Sequence, residues 1–287
     1  MNSITTGYGS VICGGGSGGY PNLVGDNATS WYGFVGGGEG NVIESSVHAV
    51  IGGGYRNRVT ADEATICGGH DNTASDDGAI VCGGSSNIAS GADACVAGGK
   101  NNVASGYNSF AAGYNAKALH QGAFVWDGGG GSTLQSSASY QWKARAKGGV
   151  WFYTDNNMSA GMYLAPSGSQ WLSVSDRNAK EGFETIDVRE ILERVASLSV
   201  EALNYKAQGP SVRHIGPMAQ DFYAAFGLGE SDRHIGTLDA DGVALAAIQG
   251  LNSIVQEQRE VIDSLQSKAA DLEARLSRLE KLLADRD

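Results

Sequence analysis

Residues 172–180 read LSVSDRNAK and place a serine, an aspartate, an arginine and a lysine within six positions, 175–180. A serine hydroxyl is a weak nucleophile and needs a base within hydrogen-bond reach. A lysine amine can be that base if burial lowers its pKa by several units. Ser175 and Lys180 are five positions apart, and helical neighbours lie three or four apart. The two side chains therefore cannot share a helix face, and such a pair must form across a loop or between chains after folding. The bland alternative is a turn capped by Ser175, with Asp176, Arg177 and Lys180 as solvated charges. The residues alone leave both readings open.

Other residues with chemical capacity have simpler explanations. Asp62, Glu63, Asp76 and Asp77, with His48 and His70 nearby, read as outward charges at chain corners and not as a catalytic cluster. A stretch so rich in small residues offers no pocket of convergent polar groups. Cys13, Cys67, Cys82 and Cys95 form no C-x-x-C pair and have no histidine at metal-ligand spacing. Each sits beside Val, Ile or Ala and reads as a small buried hydrophobe kept reduced. No metal and no cofactor are expected. Trp142, Trp151, Phe152, Tyr153 and Trp171 make an aromatic belt, suited to stacking on a sugar or to packing between chains.

The elements that hold these residues come in two halves. Glycine supplies 43 of 287 residues, about twice the usual ~7%, without the period of collagen. From Asn41 the chain repeats every 15 residues with one single-residue insertion: NVIESSVHAVIGGGYR, NRVTADEATICGGHD, NTASDDGAIVCGGSS, NIASGADACVAGGKN, NVASGYNSFAAGYNA. Degenerate copies precede these at 11–16 and 34–41. Aligned by repeat, Val50, Ile66, Val81, Val96 and Ala111 form one column, followed by Ile51, Cys67, Cys82, Ala97 and Ala112, then by glycines from Gly52 to Gly113. Two short strands per repeat with tight turns predict one coil of a parallel β-solenoid. Glycine and asparagine are expected to take the corners with positive φ, and stability must come from stacking coil on coil.

Beyond residue 128 the pattern changes. YQWKARAKGGVWFYTD (140–155) reads as a β-hairpin about its Gly-Gly, and MYLAPSGSQWLSV (162–174) as a second strand pair. Asp187, with Glu190 three residues on, is a capping-box start for a helix over 187–198. HIGPMAQDFYAAFGLG (214–229) reads as another helix, started near Pro217 and stopped by Gly227. From Ile248 the heptads run unbroken, with Ile248, Val255, Ile262, Ala269, Leu276 and Leu283 at a and Leu251, Gln258, Leu265, Leu272 and Leu279 at d. Ile and Val at a with Leu at d favour a dimer, but apolar Ile254, Val261 and Leu282 at g widen the stripe toward three strands. Lys268 with Glu273, and Arg275 with Glu280, can pair between chains.

The repeats, AVIGGGYRNRV through ATICGGHDNTAS, and the closing AKALHQGAFVWDGGGGS resemble the heads of trimeric autotransporter adhesins and related coils of phage tail fibres. That resemblance implies a left-handed β-roll in which three chains pack side by side. Ser-Asp-Arg-x-x-Lys at 175–180, the later His-x-Gly-x-x-Ala-Gln at 214–220, and the acidic turn before the last helix resemble the intramolecular chaperone domain of phage endosialidases and tail spikes. Such domains trimerise the chain, help its β-rich fibre fold, and cut themselves off. Carried over, Ser175 is the nucleophile and Lys180 its base, with the cut between Val174 and Ser175. Asp176, Arg177, His214 and Gln220 fill supporting positions.

The expected architecture is thus mixed: a left-handed parallel β-roll head (1–127), a β-hairpin neck (128–174), an α+β chaperone and self-cleavage domain (175–246), and a trimeric coiled coil (247–287). The expected assembly is a homotrimer in a virion tail fibre or a surface appendage, meeting a host-surface glycan or protein through head or neck. In the alternative, residues 175–287 stay as a permanent trimerisation foot. The net charge of −11 disfavours nucleic acid and anionic membrane as partners. No run reaches the ~18 apolar residues of a membrane span, and the opening residues lack signal-peptide character. A glycan-degrading spike is disfavoured because the head offers no paired carboxylates in a cleft.

Overall fold

The computed structural model describes residues 1–5, 8–17, 19–25 and 30–284, with side chains through residue 281. Leu282 and Leu283, assigned to heptad positions above, have side chains outside the described residues. The chain divides into two compact units, Met1–Ala179 and Lys180–Asp287.

The first unit is a β-solenoid. Successive strands alternate between two nine-stranded sheets, both wholly parallel, so each repeat contributes one strand to each. The first runs from Ser3–Ile4 through Arg58–Val59 and Thr73–Ala74 to Leu134–Gln135. The second runs from Val11–Ile12 through Thr65–Ile66 and Ile80–Val81 to Trp142–Arg145. From Leu23–Val24 to Phe110–Tyr114 one residue per strand points inward and is fully buried, among them Ile43, Val59, Ala74 and Ala89 from the first sheet and Ile51, Ile66, Val81 and Val96 from the second. The core is a single file of small aliphatic side chains between the sheets, which no coil could bury alone.

The register corrects one column of the sequence alignment. Val50 pairs with Thr65, and Ile51 with Ile66. The inserted residue of the 41–56 repeat lies in the corner before Val50, so Ile51 takes the core position and Gly52 lies level with Cys67. The cysteines are also corrected. Cys13, Cys67 and Cys82 are exposed and Cys95 is half-buried; none is in a disulfide. Side chains on a strand alternate between faces, so a residue following inward Ile66 or Val81 must point outward.

A third correction concerns asparagine. Asn57, Asn72, Asn87 and Asn102 are fully buried and absent from the positive-φ corners, which are held by glycine and by residues such as Arg56, Asp71, Ser86 and Asn101. The buried asparagines form a ladder instead. Asn72 Nδ2 donates to the carbonyls of Gly68 and Gly84, each at 3.0 Å, and Asn72 Oδ1 accepts from the Asn87 backbone N–H at 3.0 Å. Asn57 and Asn87 repeat the pattern one coil away. The paired glycines are there for close approach as well as for φ: a Cβ on Gly69, at φ +87°, would lie 2.1 Å from the Gly84 carbonyl oxygen of the next coil.

The solenoid continues past residue 127. Trp142–Arg145 is its last strand, parallel to Phe124–Asp127, so the hairpin expected over 140–155 does not form. Gly149, at φ +99°, ends that excursion, and Val150–Tyr153 pairs antiparallel with Gly161–Leu164, which pairs in turn with Trp171–Ser173. The tetraglycine 128–131 is held down by cations. Arg145 pairs with buried Asp127 at 3.0 Å and donates to the Ser132 carbonyl, and Lys147 donates to the Gly130 carbonyl.

The second unit is helical. α1 (Val188–Ser197) is capped by Asp187, whose side chain accepts from the N–H groups of Arg189 and Glu190. Glu190 turns to Arg194 rather than back to the cap. α2 (Ala219–Phe226) stops at Gly227 in the left-handed conformation, φ 64°. The helix expected to start near Pro217 begins at Ala219, with Met218 as its N-cap, after His214–Gly216, a strand paired with Glu201–Leu203. Pro217 disfavours helical backbone in the residue before it. α3 (Thr237–Ala284) spans 48 residues, about 70 Å at 1.5 Å per residue.

α1 crosses α3 at Gly250, where a Cβ would lie 2.3 Å from the Val188 carbonyl oxygen. Val243, Ala246 and Ala247 are buried on that face of α3. We expect Gly250→Ala to push the helices apart at a cost of about 1–3 kcal/mol, read as an earlier thermal loss of helical circular dichroism.

Candidate functional site

The three-stranded sheet sets the position of the SDRNAK segment. Trp171–Ser173 is its last strand, and the Val174 N–H continues the pairing by donating to the Gly161 carbonyl at 3.2 Å. Val174 is half-buried and Ser175 exposed. The peptide bond between them leaves the sheet edge just where regular pairing ends.

Asp176 organises the turn that follows. Its Oδ1 accepts from the Asn178 backbone N–H at 2.9 Å and from Asn178 Nδ2 at 3.1 Å, and its carbonyl accepts from the Ala179 N–H. These bonds wind Arg177–Ala179 into a single 3₁₀ turn. Asp176 therefore has a structural task as the cap. Ser175, Asp176 and Arg177 belong to the first unit, and Lys180, also exposed, opens the second.

His214 and Gln220 lie in the second unit. His214 is exposed on its short strand; Nε2 is 2.8 Å from Gln208 Oε1, and its ring meets Tyr205 edge-on at 5.3 Å. Gln220, in the first turn of α2, lines a cleft of about 620 Å³ with Tyr205, Met218, Arg233 and His234. His214 thus reaches the wall of that cleft through Tyr205, and Gln220 belongs to the wall directly. Arg233 and His234 were not singled out from sequence. They sit in an irregular polar turn with neither periodicity nor motif to mark them.

The carboxylates considered in the head lie at solenoid corners. Asp62 accepts from the Val47 N–H at 2.7 Å, and Asp76 from the Asp77 N–H at 3.0 Å. His48 stacks on Tyr32 at 5.2 Å, and His70 meets its neighbour Asp71. Among the described residues no group of three or more His, Cys, Asp or Glu could hold a metal ion. No helix there is long and apolar enough to cross a membrane.

On α3 most a and d residues from Ile248 onward face outward, while Val255 is half-buried. Ile248, Leu251, Ile262, Leu265, Leu272 and Leu276 are all more than half exposed or at half. Among the described residues of the second unit, nothing covers these side chains.

Residues 175–227 match the model of a family described as chaperone of endosialidase. No curated protein shows a significant match to the chain. The match and the two-sheet solenoid together fit a β-roll head followed by a C-terminal chaperone.

Proposed function

We propose that this chain is a trimeric fibre protein of the phage-tail or surface-appendage kind, whose residues from 175 onward are an intramolecular chaperone that is cut off after assembly. Ser175 Oγ attacks the carbonyl of Val174 while Lys180 takes the hydroxyl proton. The Val174–Ser175 C–N bond then breaks, with the proton passing from Lys180 to the leaving Ser175 amine. Water hydrolyses the Val174 ester so formed, leaving a carboxylate on Val174 and a free hydroxyl on Ser175. The observation carrying this reading is a coincidence of boundaries. The family match opens at Ser175, the residue that follows the last sheet pairing of the β-rich unit. The open heptad seam of α3 supports trimerisation, since an apolar a/d stripe is buried by copies of the same helix. His214 and Gln220 serve as supporting groups, and the head and neck carry any contact with a host-surface glycan or protein.

The capped turn at Asp176 favours a second reading, in which 175–287 remains as a permanent foot and SDRN is a well-bonded turn. Intact mass under denaturing conditions separates the two. Fragments 1–174 and 175–287 support the self-releasing chaperone. A whole chain recovered from a stable trimer supports the foot.

A further inference from the structure

The two sheets of the solenoid have unlike outer faces. On the first, the positions flanking the core residues include Glu44, Arg58 and Lys117, with Ser75, Ser90 and Ser105, and Arg58 pairs with Glu44. On the second, the residues immediately before and after each core position carry no charge from Val11 to Ala144. Phe34, Ile80, Trp126 and Trp142 are exposed there. Phe110, Phe124 and Trp142 stack in sequence at 4.6 and 5.9 Å. The stripe crosses nine strands, about 40 Å at 4.7–4.9 Å per strand. It runs into an apolar cleft of about 350 Å³ between Trp126, Trp142, Val150 and Phe152. Soluble single chains rarely expose continuous apolar patches beyond a few hundred Å².

We infer that this outer face of the second sheet is where the heads of copies of this chain meet, and that Cys67 and Cys82 are sealed within the contact. The inference rests on the trimer reading above and names the surface that reading needs. Two observations select copies as the occupant. The face is uncharged on a chain of net charge −11, so it is the surface on which identical chains approach without like charges opposed. The α3 seam also demands partners of its own sequence. Helices joined there hold their heads at high effective concentration, which lets a modest apolar stripe associate.

The thiols report on the contact. Cys67 and Cys82 follow inward Ile66 and Val81, point out of this face and are exposed in the single chain. Cys95, half-buried on the strand next beyond that of Cys82, is a poorer reporter. Burial first, then Cys82 and Cys67 beside it, push its thiol up to about 11, and the thiolate is the reactive form.

The test is timed iodoacetamide labelling of the native full-length chain carrying Ser175→Ala, which keeps α3 attached, at pH 8, read peptide by peptide by mass spectrometry, with particle mass from light scattering. A Ser75→Cys variant places a control thiol at an exposed position of the first sheet's outer face. The inference expects trimers in which Cys67 and Cys82 label at least about tenfold more slowly than the control. It also expects Ile80→Lys, a change at a surface position, to restore fast labelling while α3 keeps the particle trimeric. Trimers whose Cys67 and Cys82 label at the control rate overturn the inference and leave the trimer reading standing; a receptor-binding role for the face would give this result. Monomeric particles overturn the trimer reading itself, and this inference with it.

Discussion

Ser175→Ala is expected to leave the chain whole where the unsubstituted chain splits at 174/175, a loss in cutting rate of at least about 10⁴-fold. The serine oxygen is the attacking atom in the proposed reaction, and alanine removes it while keeping Asp176. The bonds to Asn178 that wind the turn come from Asp176. Lys180→Arg tests the base separately. Arginine keeps the positive charge but holds its proton at any working pH, so a lysine that only supplies charge is replaced without effect, whereas a lysine that accepts a proton is not. Both variants should still trimerise.

A seam variant probes timing. Lys180 is exposed in the single chain, so the burial a lysine base requires has to come from assembly. Leu265→Asp, which puts a charge into the a/d stripe, is expected to abolish trimers and cutting together. Efficient cutting by a monomeric Leu265→Asp chain would sink the idea that assembly triggers the reaction.

The second large effect is structural. Asn72→Ala is expected to destabilise the head by about 3–5 kcal/mol, because it strips a buried donor from two carbonyls and leaves the Asn87 N–H without its acceptor. Asn72→Asp should be worse despite its equal size. It directs an oxygen at the Gly68 and Gly84 carbonyl oxygens where an amide donated before. Denaturant unfolding followed by the β-sheet signal measures both. Because each coil is stabilised by its neighbours, the loss should lower the midpoint of the whole solenoid. A change under about 0.5 kcal/mol, the range of ordinary surface substitutions, would mean the ladder contributes little.

The amino-acid sequence alone determined the features that depend on local periodicity. The 15-residue repeat named a solenoid, the seven-residue repeat named the long helix, and Asp187 marked where α1 begins, since each signal lies within one turn or one coil of the residue it positions. The SDRNAK segment was equally legible as a cluster of reactive types. Only the tertiary structure decided what depends on pairing between distant segments. One inserted residue before Val50 shifted which of Val50 and Ile51 is buried, a choice fixed by the neighbouring coil's hydrogen bonds. Trp142–Arg145 reads locally as half a hairpin, yet it joins the solenoid because Phe124–Asp127 offers an unpaired edge. The periodic asparagines looked like turn residues until stacking set each one against the carbonyls of the next coil. The cysteines looked buried because their neighbours are apolar, but strand alternation turns them to an outer face whose character emerges only when nine strands are laid side by side.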